Sequence, residues 1–315
     1  MVNELDKRRL EALRFALGPV VLAALDDPDV VEVMLNDDGL LFIDSIGEMQ
    51  EAGRIEPDDA MAILNQVSSA LNHELGPKNP SVAGELPLKG ERFQGIIPPN
   101  VAAATFSIRK KAERIYSFKD YVRTGVMSFR QAEILRTAIS QRKNILLAGG
   151  TGSGKTTFCN AVLKELADLR PKTRMILMED TYELQCTLRN RVFLKATEWM
   201  DMAQLGIIVN RMRPDSISVG EVRAGAPALV LLKNWNTGHP GGVATVHADS
   251  ATEALVRIDQ LIQEVSAHPQ RALIAKAIDY VVYLEREESK RSVKEIVRVT
   301  GYDLHNQEFK VEQIH

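Results

Sequence analysis

One glycine-rich run constrains the fold of this chain more than any other feature. It fits the pattern G-x-x-x-x-G-K-S/T and reads Gly149-Gly150-Thr151-Gly152-Ser153-Gly154-Lys155-Thr156-Thr157. The apolar segment Asn144–Ala148 before it predicts a buried strand, and Thr156–Ala167 after it predicts a helix. Strand, glycine loop and helix form the context that a phosphate-binding loop requires. The less specific alternative is a glycine-rich turn without a ligand.

The residue types in this run suit the binding of phosphate. Glycine lets the main chain adopt conformations that a Cβ forbids, so successive N–H groups can converge on an anion at a helix N-terminus. Lys155 would reach the β- and γ-phosphates, and the hydroxyl of Thr156 would bind Mg²⁺. We therefore expect all nine residues, from Gly149 to Thr157, to form the nucleotide site.

Length and composition indicate an ordinary globular protein. The chain has 315 residues, of which 45% are hydrophobic and 26% charged, so about two domains are expected. Its longest apolar segment, Phe15–Leu25, is shorter than the roughly 18 residues of a membrane span and contains Gly18 and Pro19. We see no signal peptide, and Cys159 and Cys186 have neither zinc-site spacing nor the number that a disulfide framework needs. The chain is therefore expected in the cytoplasm.

The charge is unevenly distributed along the chain. The net charge is −3, which argues against strong direct binding of nucleic acid. Residues 1–110 contain 10 Lys and Arg against 18 Asp and Glu, and residues 111–315 contain 29 against 24. Such asymmetry can steer one domain onto another, within or between subunits, although surface charge without a role explains it equally well.

The first 112 residues predict an α+β domain. Helices and strands occur there without the strand–helix alternation of a parallel sheet. The predicted helices are Leu5–Leu17 and Pro57–Leu75, and the predicted strands are Val30–Leu35, Leu40–Asp44, Glu85–Pro98 and Ala104–Arg109. The first two strands flank a turn sequence and indicate a hairpin.

Residues 113–127 predict a linker or hinge with a short helix, Phe118–Val122, inside it. Ser128 and Gln131 form a capping-box pattern at the start of a helix that continues to Ser140. From there to residue 315 strands and helices alternate, which predicts an α/β domain with a mostly parallel sheet. The predicted strands are Asn144–Ala148, Met175–Met178, Val192–Leu194, Ser216–Val219, Val243–Val246, Tyr280–Leu284 and Val293–Val299.

Carboxylates follow two of these strands, at the sheet edge where open α/β sheets bind ligands. Glu221 comes shortly after Ser216–Val219 and is a candidate for orienting or activating an attacking water, with a second candidate role at Mg²⁺. Glu179 begins a run of three carboxylates in five residues, a crowding near phosphate that Mg²⁺ would offset. The alternatives are a surface glutamate at a strand end and a helix-capping turn.

Three more residues are candidates for contact with the γ-phosphate. His247 ends the predicted strand Val243–Val246 and could sense that phosphate, although a lone histidine is more often structural. Arg92 and Arg109 lie on predicted strands of the acidic first half and could act as arginine fingers. A surface ion pair is at least as good an explanation for the two arginines.

Four sequence blocks in this order resemble the secretion-superfamily ATPases, which drive type II and type IV secretion and type IV pili. In that family's terms they are similar to Walker A, the Asp box, Walker B and the His box. The last three blocks are Glu179–Leu184, Gly220–Arg223, and Thr237–Gly241 with Thr245–Ala248. The length of the chain and the residues of the Glu179–Leu184 block look most like the conjugal-transfer (TrbB) branch. The absence of a four-cysteine zinc module argues against the type II branch.

The resemblance implies a RecA-like ATPase domain that uses ATP and Mg²⁺, with Thr156, Glu179 and Glu221 as metal-binding candidates. It also implies a homohexamer, peripheral at the cytoplasmic face of the inner membrane and joined to secretion or conjugation components there. Each nucleotide would lie between the two domains of a subunit, and Arg92 and Arg109 match the family's phosphate-facing arginines. Gly220 stands where Walker B of other NTPases has an acid.

The function predicted from this resemblance is ATP hydrolysis coupled to domain motion that powers a type IV secretion or conjugal-transfer apparatus. Two alternatives stay open at this point. The first is a motor for assembly or retraction of type IV pili, which has the same chemistry and another partner. The second is a nucleotide-gated scaffold with little hydrolysis.

Overall fold

The computed structural model describes residues 4–45, 48–111, 114–287 and 290–314. It divides into two compact units, Met1–Glu113 and Arg114–His315. The predicted domain boundary, between residues 112 and 113, lies outside the described residues. No helix in the described ranges is both long and apolar enough to cross a membrane.

The first unit combines two helices with a sheet whose strand pairs are all antiparallel in the described residues. The helices are α1 (Glu4–Asp26) and α2 (Pro57–Ala70). The strands are β1 (Val30–Leu35), β2 (Leu40–Ser45), β3 (Glu48–Arg54), β4 (Ser81–Glu85), β5 (Arg92–Ile96) and β6 (Thr105–Arg109). Their order in the sheet is β3-β2-β1-β6-β5-β4.

Alternation of side chains explains how this sheet packs. Val33, Phe93 and Ile108 are buried in one apolar cluster with the inward face of α2. Successive side chains of a strand point to opposite faces of the sheet. The neighbours of Val33, Phe93 and Ile108 along each strand therefore lie on the face away from α2. The predicted β1–β2 hairpin is confirmed by its antiparallel register.

Several predicted bounds in the first unit are wrong. Glu85–Pro98 is not one strand, because the chain turns between β4 and β5 and Gly90 there has a φ of 82°. The first helix continues beyond Leu17 to Asp26 across a kink at Gly18, whose φ is 72°. The second helix ends at Ala70, five residues earlier than predicted, and β3 was not predicted.

The second unit alternates helices with strands from residue 118 onward. Its helices are α3 (Phe118–Arg123), α4 (Phe129–Ser140), α5 (Lys155–Leu169), α6 (Met202–Ile208), α7 (Gly225–Asn236), α8 (Ala251–Gln263) and α9 (Arg271–Ala277), with a 3₁₀ turn at Val209–Met212. Its strands are β7 (Ile145–Gly149), β8 (Met175–Glu179), β9 (Arg191–Lys195), β10 (Ser216–Val219), β11 (Val243–Val246), β12 (Tyr280–Glu287), β13 (Lys290–Asp303) and β14 (Glu308–Gln313).

The strands of the second unit form a mostly parallel sheet in the order β14-β13-β12-β7-β11-β10-β8-β9. In the part of the sheet with the order β12-β7-β11-β10-β8-β9, each strand runs parallel to its neighbours, as predicted. The extension through β13 and β14 is antiparallel, and β14 was not predicted. The carboxyl ends of β7, β8, β10 and β11 therefore meet at one edge of the sheet.

Both faces of this sheet are covered by apolar side chains. Along β7, Leu146 and Ala148 belong to one buried cluster, and Ile145 and Leu147 belong to the other. The first cluster includes side chains of α6, α7, α8 and α9, and the second includes side chains of α3, α4 and α5. Burial on both faces explains why β7 is a continuous apolar run.

The described part of the segment 113–127 packs with the second unit. Phe118 of α3 is fully buried, and its ring stacks on Phe158 of α5 at a centroid distance of 6.0 Å. Tyr121 contacts the same Phe158 ring edge-on at 5.0 Å. The predicted capping box at Ser128 and Gln131 is confirmed by its two reciprocal hydrogen bonds. A hinge role for residues 113–127 stays a prediction.

Replacing Phe118 by alanine is expected to destabilise the second unit by about 3 kcal/mol or more, because the lost ring leaves a cavity that its neighbours fill only partly. Denaturant unfolding followed by circular dichroism measures this as a lower midpoint. Phe129→Ala is the matched control, since Phe129 lies on the next helix with 67% of its surface exposed. Equal midpoints for the two variants would contradict the packing of α3.

Candidate functional site

The phosphate loop lies between the end of β7 and the start of α5. Gly154 precedes the helix with a φ of 91°, a left-handed conformation that favours glycine. A Cβ on Gly149 would lie 2.4 Å from the carbonyl oxygen of Leu284 and 2.5 Å from Oγ of Ser153. Glycine is therefore required at both ends of the loop, at one for its backbone dihedral and at the other for space.

The ammonium of Lys155 is buried inside this loop, with 8% of the residue exposed. Its Nζ donates to the carbonyl oxygens of Gly149 and Gly150, each at 2.8 Å. A buried charge is costly unless its donors are satisfied, and the loop backbone satisfies two of them. The loop thus concentrates positive charge at a helix N-terminus, where a phosphate group is stabilised.

His247 connects Lys155 to the neighbouring strand end. Its Nδ1 lies 3.2 Å from Nζ of Lys155, and its Nε2 lies 3.0 Å from Oε1 of Glu221. An ammonium can only donate, so Nδ1 accepts and Nε2 carries the proton towards Glu221. Burial and the charge of Lys155 lower the pKa of His247, although Glu221 acts in the opposite direction. The imidazole is therefore favoured in its neutral form.

Glu221 is held as an ionised carboxylate. Burial alone would raise its pKa, but a hydrogen bond from Arg223 and the positive charge of Arg223 outweigh it, so the pKa of Glu221 is lowered. Nη2 of Arg223 lies 2.6 Å from Oε2 of Glu221. Nη1 of the same arginine lies 3.8 Å from Asp180, in the acidic run after β8. Arg223 lies inside the Walker B block, but no role for it was predicted.

Glu179 ends β8 and is 2% exposed. Its Oε1 accepts the backbone N–H groups of Glu183 at 2.9 Å and Leu184 at 2.7 Å, so this carboxylate orders the turn after the strand. A Cβ on Gly220 would lie 3.1 Å from Cγ of Glu179. Glycine at position 220 therefore leaves room for the side chain of Glu179.

The residues present fit a Mg²⁺ ion that would be bound largely through the phosphates of a ligand. In the described ranges, no group of three or more His, Cys, Asp and Glu residues could hold a metal by itself. Mg²⁺ keeps several waters and commonly needs only one or two protein ligands besides substrate phosphates. Thr156, in the first turn of α5, and the carboxylates at the neighbouring strand ends offer the hard oxygen donors that this ion prefers.

The predicted arginines Arg92 and Arg109 lie in the first unit, whereas the phosphate loop lies in the second. They are direct partners across β5 and β6. Glu85 pairs with Arg92 on one side, and Glu32 pairs with Arg109 on the other, so four charged residues form one row across the sheet. A contact of the two arginines with phosphate stays a prediction.

The structure also brings two arginines to the phosphate loop that the sequence did not indicate. Arg286 and Arg291 come from the β12–β13 hairpin, more than 120 residues after the loop. Nε of Arg291 donates to the carbonyl oxygen of Gly152 at 3.1 Å. No spacing pattern links these residues to the loop, because strand pairing alone brings them together.

Comparison with known proteins places the chain in a family. Residues 82–308 match the family model described as "Type II/IV secretion system protein". The chain is 45% identical over 308 residues to the probable conjugal transfer protein TrbB of Sinorhizobium fredii, which covers 98% of this chain and 94% of that protein. It is 30% identical over 344 residues to the type IV secretion system protein VirB11 of Bartonella quintana, which covers 94% and 95%.

The fold is shared with a solved relative of low identity. The Legionella pneumophila ATPase DotB superposes with a TM-score of 0.61 at 14% identity, covering 91% of this chain and 80% of that one. At this identity the likeness concerns the fold alone. The family match and the near full-length identity to TrbB and VirB11 proteins confirm the resemblance predicted from the four sequence blocks: this chain belongs to the type II/IV secretion system protein family.

Proposed function

We propose that this chain is an ATPase that couples ATP hydrolysis to domain motion in a type IV secretion or conjugal-transfer apparatus. The observation that carries the proposal is the continuous contact from Lys155 through His247 to Glu221 at the phosphate loop. The names of the relatives, a conjugal transfer protein and a type IV secretion system protein, support the apparatus. The second unit would be a RecA-like NTPase domain, for which the parallel sheet and the position of the loop give support.

The phosphate loop, from Gly149 to Thr157, would bind the nucleotide. Its backbone N–H groups and the ammonium of Lys155 would hold the β- and γ-phosphates. Thr156, together with Glu179 or Glu221, would hold Mg²⁺, and that ion would neutralise charge on the phosphates. Glu179 already orders the turn at Leu184 through a hydrogen bond. We therefore assign Glu179 a positioning role, in addition to its candidate role in holding Mg²⁺.

Glu221 would orient and activate the attacking water. An acceptor for the water's proton must be ionised before attack, and the lowered pKa of Glu221 satisfies this requirement. Arg223 contributes through its hydrogen bond to Oε2, which leaves the carboxylate charged and fixed in direction.

His247 would report the state of the γ-phosphate to the strand end that carries Glu221. A phosphate bound by Lys155 competes with Nδ1 of His247 for the ammonium protons, so its arrival and loss change the partners of the imidazole. The same imidazole contacts Glu221 through Nε2. Binding at the loop and chemistry at β10 would thereby be coupled through one side chain.

The wider assembly belongs to the same proposal. We propose a homohexamer, peripheral at the cytoplasmic face of the inner membrane, that works with the membrane components of the apparatus and binds nucleic acid only weakly. Arg92 and Arg109 would face the phosphates when the first domain closes on a nucleotide, and residues 113–127 would be the hinge. Arg92 and Arg109 pair directly across β5 and β6, so both guanidinium groups would approach the same anion.

Lys155→Ala should lower ATP hydrolysis about a hundredfold or more, because it removes the cation that contacts the transferred phosphoryl group. Steady-state phosphate release from the purified full-length protein measures the effect. Lys172→Ala is the control, since Lys172 is an exposed lysine just beyond α5. If the Lys155 variant hydrolyses ATP as fast as the wild type, the proposal is wrong. If the wild-type protein itself hydrolyses ATP no faster than the variant, a scaffold with little hydrolysis is favoured instead.

Glu221→Gln should retain ATP binding and lose about a hundred- to ten-thousandfold in kcat, because the amide cannot accept the proton of the attacking water. Binding of a fluorescent ATP analogue and phosphate release are measured on the same preparation. Glu308→Gln, an exposed glutamate on β14, serves as the control. If the Glu221 variant fails to bind ATP but melts like the wild type, the role of Glu221 lies in holding Mg²⁺.

The pKa of His247 should lie below its ordinary value of 6.5 in the nucleotide-free protein. Glu221→Gln removes the anion that favours the imidazolium and should lower this pKa further, whereas Lys155→Ala removes a repelling cation and should raise it. A titration of histidine-labelled protein by NMR measures both shifts, with His247→Gln assigning the resonance among six histidines. Shifts of the opposite sign would refute the contacts of His247 with Lys155 and Glu221.

A further inference from the structure

Asn160 is a buried polar residue of α5 that lies one to two turns after Lys155 on the same helix, and no role for it was predicted. The residue is 1% exposed. Its Nδ2 donates to the carbonyl oxygen of Glu183 at 3.2 Å, and its Oδ1 accepts the backbone N–H of Gln185 at 2.8 Å. One side-chain amide therefore binds the segment after β8 at two points. We call this segment, Asp180–Gln185, the acidic turn.

The acidic turn needs side chains to satisfy its backbone, because it belongs to neither a helix nor a strand. Glu179, at the end of β8, accepts the N–H groups of Glu183 and Leu184. Asn160 accepts the next N–H group in the chain, that of Gln185. Three successive N–H groups are thus bound by two buried side chains, one from a strand and one from the helix of the phosphate loop.

The acids of this turn attract Arg223. Oδ2 of Asp180 lies 3.8 Å from Nη1 of Arg223, and Nη2 of the same arginine lies 2.6 Å from Oε2 of Glu221. The pKa of Arg223 is raised by its hydrogen bond to Glu221 and by the charges of that carboxylate, Asp180 and Glu183. The guanidinium is therefore stabilised on one side by the acidic turn and on the other by Glu221.

These contacts form a closed path that begins and ends on α5. In order, the path joins Lys155, His247, Glu221, Arg223, Asp180, the rest of the acidic turn and Asn160. Because Lys155 and Asn160 belong to one helix, its backbone hydrogen bonds keep the two residues at a fixed separation. The position of Glu221 relative to the phosphate loop is therefore fixed from two sides, through His247 and through Arg223.

We propose that Asn160 is a positioning residue of the ATPase site. By binding the acidic turn to α5, Asn160 fixes the acids that attract Arg223. Arg223 in turn fixes the direction and the ionised state of Glu221. The inference rests on the proposed function, because it takes Glu221 to be the residue that activates the attacking water.

The first test compares Asn160→Ala with the wild-type full-length protein. Its kcat should fall about ten- to a hundredfold, because a misdirected Glu221 orients the water poorly. The dissociation constant for ATP should change by less than about twofold, since Lys155 and the loop are unaltered. Phosphate release and binding of a fluorescent ATP analogue are measured on the same preparation.

Asn234→Ala is the matched control. Asn234 of α7 is 3% exposed, its Nδ2 donates to the carbonyl oxygen of Gly206 at 2.8 Å, and its Oδ1 accepts from Nδ2 of Asn210 at 2.9 Å. This variant also loses two hydrogen bonds of a buried amide, so its melting temperature should fall as that of Asn160→Ala does. Its kcat should stay near the wild-type value, which separates a loss of stability from a loss of positioning.

A positioning role also predicts a change in the pH dependence of kcat. Burial raises the pKa of Glu221, and Arg223 outweighs burial through its hydrogen bond and its charge. A poorly fixed Arg223 should therefore raise this pKa, and the acidic limb of kcat should move to higher pH in Asn160→Ala but not in Asn234→Ala. In an Arg223→Ala background, Asn160→Ala should lower kcat little further, because both changes act on the same carboxylate.

Asn160→Ser, which keeps a hydroxyl at this position, replaces the alanine variant if that protein does not fold, and the same pattern is expected at smaller amplitude. If Asn160→Ala lowers kcat no more than Asn234→Ala, or lowers it by the same factor with and without Arg223, the inference is overturned. The proposed function stands in that case, provided that Lys155→Ala and Glu221→Gln lose hydrolysis. If the wild type hydrolyses no ATP, both are overturned.

Discussion

The buried ammonium of Lys155 is the interaction on which the site depends. A charge at 8% exposure is costly, and its donors are satisfied by the carbonyls of Gly149 and Gly150 and by Nδ1 of His247. The need to satisfy this one group ties the phosphate loop to the end of β11. Through Nε2 of His247 it reaches Glu221, at the end of β10. Lys155, His247 and Glu221 therefore form one polar network at the carboxyl edge of the sheet.

Packing at the sheet edge explains a residue that looked anomalous. Gly220 stands where the sequence comparison led us to expect an acid, and a Cβ there would lie 3.1 Å from Cγ of Glu179. Because Glu179 is buried and accepts the backbone N–H groups of Glu183 and Leu184, a side chain at position 220 would press on a carboxylate that holds the next loop.

Both units contain a pair of arginines that face each other across neighbouring strands. In the first unit, Arg92 and Arg109 lie in the middle of a row of four charged residues. Glu85 and Glu32 are the two ends of this row, so each arginine has one acidic neighbour. In the second unit, the pair at β12 and β13 adjoins Gly152. In both units, cross-strand pairing places two guanidinium groups side by side on neighbouring strands.

Local patterns determined a large part of this protein. The glycine run with Lys155, the capping box at Ser128 and the alternation after residue 128 each depend on residues close in sequence, and the structure has the loop, the cap and the mostly parallel sheet. Bounds were less accurate where a turn lay inside an apolar stretch, as between β4 and β5. Strand ends that carry Glu179, Glu221 and His247 could be named because ligands gather at the carboxyl edge of such sheets. Only the tertiary structure decided that His247 bridges Lys155 and Glu221, that Gly220 makes room for Glu179, and that Arg286 and Arg291 reach the loop. These contacts join residues far apart in sequence, and strand order, which is set by the packing of the whole sheet, brings them together.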